Sequence, residues 1–168
     1  MNRTTLRPLV ASGMMLGIGM GGFLDGIVVH QILQLHNMLS AKYPPTSLVN
    51  VEVNMFWDGL FHLLTWVVTA AGLVMLWRTV RRTDVILSGR ALLSAAAVGW
   101  GLFNFVEGII NHYILELHHV RELSGRSIWD AAFVASGLIL IAIGILLLRS
   151  EIAIKRHEGQ TGPSADGR

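Results

Sequence analysis

Long apolar stretches separated by short polar segments dominate this chain. Four of them each reach the length of about 20 residues that an α-helix needs to cross the hydrocarbon of a bilayer. These stretches cover residues 9–39, 55–77, 91–119 and 129–148. Runs this long and continuously apolar are helical in lipid, because a helix satisfies its backbone hydrogen bonds internally. The pattern therefore predicts an all-α fold, a bundle of four transmembrane helices.

The composition supports a membrane protein and limits its chemistry. Hydrophobic residues make up 52% of the 168 positions, charged residues only 14%, and the mean hydropathy is +0.55. The chain contains no cysteine, which excludes disulfides, thiolate metal sites and cysteine nucleophiles. Any metal or catalytic site must therefore use oxygen and nitrogen groups.

Cationic residues fall mainly on one side of the predicted bundle. Lys and Arg accumulate in short cytoplasmic loops beside membrane helices. The cations on the crowded side are Arg3, Arg7, Arg78, Arg81, Arg82, Arg90, Arg149, Lys155 and Arg156. The two loops facing the other side carry only Lys42, Arg121 and Arg126. We therefore predict that both termini are cytoplasmic, and the pI near 9.5 needs no nucleic-acid partner to explain it.

Two segments of the chain match each other at a distance of 82 residues. Residues 23–38 and 105–120 are identical at eight of sixteen aligned positions, and the polar positions stay in register within apolar surroundings. The matched polar pairs are His30 with His112, His36 with His118, and Asp25 with Glu107. A match that keeps acids and histidines in register is typical of a functional site.

The match extends to the second helix of each half. A Trp-Asp pair that ends at Asp58 occurs again ending at Asp130, and a Phe follows each Asp three residues later. The fold is thus predicted to consist of two tandem repeated helical hairpins related by a pseudo-twofold axis along the membrane normal. The predicted organisation is one transmembrane domain at 1–154, with repeat one at 9–77 and repeat two at 91–149, and a disordered cytoplasmic tail at 155–168.

One acidic residue lies inside each predicted span. Placing an acid in the middle of a membrane helix costs about 2.5–3.5 kcal/mol on insertion scales, so each acid needs a partner or a cation. The four acids are Asp25, Asp58, Glu107 and Asp130. Six histidines gather with them toward the side of the bilayer opposite the termini.

Helical spacing predicts how some of these groups are arranged. Asp58 and His62 are four residues apart and share one helix face, a spacing suited to chelation. Asp25 and His30 are five apart and diverge by about 140° on a regular α-helix. We therefore predict a π-type distortion near Gly26 in the first half of the chain and another near Gly108 in the second half.

The clustered histidines and acids predict a metal centre. The predicted ligands are His30, His62, His112 and Asp58, with Asp25, Glu107 and Asp130 as further ligands or as acceptors that orient the imidazoles. A regular helix would place His36 about 16 Å above Asp25. We therefore predict that an outer layer, a second metal site or an access port, is formed by His36, His118 and His119. Imidazole with carboxylate suits zinc, copper(II), iron or manganese.

Other functions fit parts of the same pattern. A single intramembrane histidine is as often an interhelical hydrogen-bond partner as a ligand. Two facing histidines in a four-helix bundle are also typical of a haem protein that transfers electrons, although haem does not require an acid in every helix. A proton or ion pathway would need polar groups in both halves of the membrane. Whether a bound metal serves an enzyme or a metal-handling factor stays open.

Three motifs carry a resemblance to a known family. They are Phe-Leu-Asp-Gly-x3-His-x5-His at 23–36, Trp-Asp-Gly-Leu-Phe-His at 57–62 and Val-Glu-Gly-x3-His-x5-His-His at 106–119. Over about residues 9–149 the chain resembles an uncharacterised family of bacterial four-helix integral membrane proteins, defined by a domain of unknown function. The resemblance implies a multi-pass protein of the bacterial inner membrane. It also implies an association with copper-handling oxidase assembly, and thus copper and a respiratory or metal-handling membrane partner.

Overall fold

Helices make up almost all of the chain that the structure describes. The computed structural model describes residues 5–122 and 125–161. Within these residues, four helical segments are long and apolar enough to cross a membrane, Arg7–Ile32, Leu48–Val80, Gly89–Ile114 and Ile128–Glu158. The predicted all-α fold with four spanning helices is confirmed.

Two of the four segments change their winding partway along. The elements are α1 at Arg7–Leu24, continuing into a π-helix, π1, at Asp25–Ile32; α2 at Leu48–Val80; α3 at Gly89–Glu107, continuing into π2 at Gly108–Ile114; and α4 at Ile128–Thr161. The π segments begin beside Gly26 and Gly108, so the predicted distortions are confirmed. A π-helix has more residues per turn than an α-helix, and it is found often at functional sites.

Two residues after the end of each π segment, one residue adopts a left-handed conformation. Gln34 has a φ of 49° and Glu116 a φ of 48°, which is uncommon for residues other than glycine. The chain turns back at these two points, so the helices end at Ile32 and Ile114 rather than at residues 39 and 119 as the apolar stretches predict. The segments that follow these turns therefore fold back over the helix ends.

Close backbone contact joins α1 to α3 at the middle of the bundle. An added Cβ at Gly17 would overlap the Ala96 carbonyl, and one at Gly99 would overlap the Met14 carbonyl. α2 packs on α1, and α4 packs on α3. Each outer helix thus packs against the inner helix of its own hairpin, and small residues permit the central approach as they do between other membrane helices.

Polar residues fill the interior, and large apolar residues cover the outside. Among the described residues, those with the largest side chains that are fully buried include His30, His112, His118, Asn54 and Asp58. The exposed apolar residues include Phe56, Leu64 and Trp66 on α2 and Ile139, Ile143 and Leu146 on α4. This arrangement suits a protein whose outer surface contacts lipid, where polar groups must find their partners inside.

The last helix is longer than the sequence pattern predicts. Residues 155–161 continue α4, although their polar composition predicts that they belong to a disordered tail. The Lys155 ammonium donates to the Glu158 carboxylate at 2.8 Å, one turn along the helix. Extending an existing helix avoids the cost of nucleation, so a polar segment can continue it. The rest of the predicted tail, 162–168, lies outside the described residues.

Candidate metal centre

Four histidine rings meet at one end of the bundle, where the π segments and the segments after them come together. The His36 and His118 rings are stacked with their centroids 4.4 Å apart. The ring centroids of His30 and His36 are 4.4 Å apart, and those of His112 and His118 are 4.9 Å apart, with both pairs edge to face. None of the four is more than 3% exposed. Both hairpins therefore contribute to one buried cluster, which we call the histidine cluster: His30, His36, His112 and His118.

The π segments place an acid beside the first histidine of each hairpin. His30 Nε2 lies 3.3 Å from Asp25 Oδ2. His112 Nε2 lies 3.6 Å from Glu107 Oε2. Because a π-helix turns less per residue than an α-helix, residues five apart reach the same face. The unusual winding thus brings together two pairs that a regular helix would separate.

The outer helices supply a second acid to each of these rings. His30 Nδ1 donates to Asp58 Oδ1 of α2 at 3.0 Å. His112 Nδ1 lies 3.2 Å from Asp130 Oδ1 of α4. Each ring is therefore held between two carboxylates, one from its own segment and one from the neighbouring helix.

The same outer acids hold the segments that turn back over the cluster. The Met38 amide donates to Asp58 Oδ1 at 2.8 Å, and the Val120 amide donates to Asp130 Oδ1 at 2.9 Å. The Asn37 amide group also donates to Asp58, at 2.9 Å. These bonds fix the returning segments against α2 and α4, close to the histidine rings.

The second histidine of each hairpin bonds to the opposite hairpin. His36 Nδ1 donates to the Val120 carbonyl at 3.1 Å, and His118 Nδ1 donates to the Met38 carbonyl at 3.0 Å. A carbonyl can only accept, so each ring carries a proton on Nδ1, and His36 Nε2, which has no hydrogen-bond partner, is available as an acceptor or ligand. His118 Nε2 lies 3.0 Å from Glu107 Oε1. The exchanged bonds tie the hairpins together at the cluster.

Several buried polar atoms around the rings have no hydrogen-bond partner. Among the described residues these atoms are His30 Nε2, His36 Nε2, Glu107 Oε2, His119 Nδ1 and both ring nitrogens of His112. Some lie within ion-pair distance of a carboxylate but without hydrogen-bond geometry. Buried polar atoms nearly always have partners, so a group of unpartnered ones points to a ligand.

Among the described residues, two sets of donor atoms are close enough to hold a metal ion. In each set the ligand atoms all lie within 4.8 Å of one another. One set is His30, His36 and His118, and the other is Glu107, His112 and His118. The histidine cluster with its acids therefore fits a transition metal in both spacing and donor type.

Outside the spanning segments, the two stacked rings differ in their affinity for a proton. Burial, together with the neighbouring rings of His118 and His30, lowers the pKa of His36 to about 3. Burial also opposes charge on His118, but the hydrogen bond and the charge of Glu107 outweigh it and raise the pKa of His118. His36 is thus a neutral imidazole, whereas His118 holds a proton more strongly than a free imidazole does, and a metal ion on His118 would compete with that proton.

The structure places His62 outside the histidine cluster. Its Nδ1 donates to the Asp58 carbonyl of its own helix at 2.7 Å, and its ring packs against Gly26. In the other hairpin, Val134 packs against Gly108 as His62 packs against Gly26, so packing against this glycine does not require an imidazole. The spacing that suggested chelation with Asp58 instead produces a local bond within α2.

The division into inner and outer histidines also differs from the prediction. His36 and His118 belong to the cluster because the chain turns back at Gln34 and Glu116 instead of continuing as a helix. His119 lies nearer the edge, with its Nδ1 3.6 Å from Asp130 Oδ1. The depth calculated for a regular helix is therefore wrong for these residues.

Sequence reasoning also missed Asn37. The match between the two halves aligns it with His119, and both contact the acid of the neighbouring outer helix. The alignment could have indicated Asn37, because a polar residue that aligns with a histidine of the site is expected to occupy the equivalent position in its own hairpin.

Comparison with known proteins identifies a family. No curated protein and no solved structure matches this chain. The family described as Predicted membrane protein (DUF2243) matches residues 12–151. This range includes the histidine cluster and the four acids of the spans. The chain therefore belongs to the DUF2243 family of predicted membrane proteins.

Proposed function

We propose that this protein is an integral membrane metal-binding protein whose histidine cluster and acids hold a transition metal. The observation that carries the proposal is the group of unpartnered buried nitrogens and oxygen around the four rings. Burying such atoms without partners costs about 1–3 kcal/mol each, which a bound cation would offset.

The chemistry of the donors narrows the choice of ion. Neutral imidazole and carboxylate groups suit copper(II), iron or zinc, and the chain offers no thiolate. Asp58 holds His30 through Nδ1, and Asp130 lies beside Nδ1 of His112. Carboxylates in this position orient a ligating imidazole and raise its basicity. Copper is further favoured by the family resemblance.

The proposed metal serves one of two roles. It either activates oxygen or water in an enzyme, or it is held for delivery to a respiratory or metal-handling partner in the membrane. In both roles the buried cluster would exclude competing ligands, and Asp58 would hold His30 in a fixed orientation.

We further propose that the protein lies in the bacterial inner membrane with both termini cytoplasmic. The supporting feature is the concentration of Lys and Arg outside the two loops that lead into and out of the cluster. The cluster then lies near the non-cytoplasmic face. The matching contacts of the two hairpins, such as Gly17 with Ala96 and Gly99 with Met14, support a duplicated architecture.

The packing does not favour haem. In a haem protein with two axial histidines the porphyrin lies between the rings. Here His36 contacts both His30 and His118 directly, which leaves no space for a porphyrin between them.

Metal analysis tests the proposal. The full chain is expressed with copper, iron and zinc supplied together, purified in detergent, and analysed for bound elements. We expect the wild type and His62→Ala to retain a transition metal, and His112→Ala to lose at least half of it. A wild-type protein that binds none of the three metals contradicts the proposal.

A further inference from the structure

The stacking of His36 on His118 limits how these two rings can bind metal. Their planes are inclined by only 6°, and their centroids are 4.4 Å apart. The lone pair of an imidazole nitrogen lies in the plane of its ring, so a ligated ion also lies near that plane. An ion in the plane of one ring is therefore far out of the plane of the other. His36 and His118 cannot serve the same ion in this arrangement.

Each stacked ring has its own set of neighbours. His118 forms a compact set with His112 and Glu107. His36 contacts His30, whose Nε2 lies 3.3 Å from Asp25 Oδ2. The set of His30, His36 and His118 would need both stacked rings on one ion. Of the sets with two histidines and one acid, Glu107, His112 and His118 have ligand atoms within 4.8 Å of one another. Asp25 and His36 are joined through their separate contacts with His30.

The charge of the buried acids supports the same division. Among the described residues, every ion-pair partner of the four span acids is a histidine, never Lys or Arg. These acids are at most 8% exposed. Buried carboxylate charge is costly unless it is paired, and a histidine supplies a positive charge only when it is protonated. Two divalent ions would match the charge of the four carboxylates, whereas one would match only half of it.

We propose that the cluster is a two-metal centre. One ion is bound by Glu107, His112 and His118, and the other by Asp25, His30 and His36. Asp58 and Asp130 orient His30 and His112 from the outer helices. This inference rests on the proposed metal-binding function and adds to it the number of ions and the assignment of ligands.

Counting bound ions tests the inference. The full chain in detergent is stripped with a chelator, reloaded with zinc alone, freed of excess metal and analysed. We expect two zinc ions per chain. One ion per chain would overturn the two-metal centre while leaving metal binding intact, and no ion would contradict metal binding itself.

Variants in each set test the assignment. Glu107→Gln with His112→Ala should leave one zinc ion per chain, and so should Asp25→Asn with His30→Ala. His62→Ala is the matched control, because it removes an imidazole outside both sets and should leave two ions. Circular dichroism and gel filtration identify the variants that remain folded. A folded double variant that binds two ions, or none, would overturn the assignment. If both double variants unfold, the zinc count of the wild-type protein decides whether the centre holds two ions.

Discussion

Asp58 shows how much of the site depends on a single side chain. Its carboxylate accepts hydrogen bonds from the His30 ring, the Gln31 and Asn37 amides and the Met38 backbone. It therefore orients a proposed ligand and also fastens the segment that returns over the cluster. Bonds to a buried carboxylate are stronger than bonds between neutral groups, because the acceptor is charged.

Replacing Asp58 by Asn should weaken both functions. An asparagine has only one acceptor oxygen, and each Asp58 oxygen accepts two of the four bonds, so two donors lose their partner, at a cost of about 1–3 kcal/mol each. Loss of an acceptor that orients a ligating histidine typically lowers metal affinity by about 10–100-fold. Thermal unfolding in detergent measures the first effect, and zinc competition with a chelator measures the second. Glu52→Gln, at an exposed position on the same helix, should change neither, and unchanged affinity in Asp58→Asn would contradict this role.

Contact between elements decides whether the two hairpins form one site. α1 and α3 approach closely at Gly17 and Gly99, where the neighbouring backbone occupies the space of a Cβ. The π segments continue these two helices, so the approach of the helices positions the histidines of both hairpins. The exchanged bonds from His36 to Val120 and from His118 to Met38 depend on the same approach.

Gly17→Ala should separate α1 from α3. The added methyl group overlaps the Ala96 carbonyl, and overpacking of this kind costs about 1–3 kcal/mol. Gly59→Ala is the matched control, because nothing lies within 4 Å of its Cβ position and alanine favours a helix over glycine by up to about 1 kcal/mol. We expect a lower unfolding temperature and fewer bound zinc ions only in Gly17→Ala. Equal stability of the two variants would contradict the close contact.

At the scale of the whole molecule, polarity is arranged for a lipid environment. The apolar exteriors of α2 and α4 face outward, and the acids and histidines face inward at one end. The side on which this end lies depends on the distribution of Lys and Arg in the loops. Orientation therefore determines from which compartment a metal would reach the cluster.

Cysteine labelling should reveal that orientation directly, because the chain has no cysteine of its own. Thr46 and Thr83 are exposed residues in the first and second loops. In intact bacterial spheroplasts, a membrane-impermeant maleimide should label Thr46→Cys and should label Thr83→Cys only after permeabilisation. The reverse pattern would show that the termini face outward.

Local features of the sequence predict the type and number of the long helices among the described residues, but not where each helix ends. Apolar length predicts the spanning helices, because the bilayer requires internal backbone hydrogen bonding. The spacing of Asp25 and His30 predicts the π segment, and the match between the halves predicts its counterpart at Gly108. Helix length and the five-residue spacing depend on residues close together in the chain, and the match at a distance of 82 residues extends the spacing to the other hairpin.

Tertiary structure decided which side chains meet. The turns at Gln34 and Glu116 return His36 and His118 to the interior, whereas His62 bonds within its own helix. Nothing in the local pattern fixes the turns, since neither turn residue is a glycine. The acids of α2 and α4 and the carbonyls of the opposite hairpin hold the returning segments, and those partners become neighbours only when the helices pack.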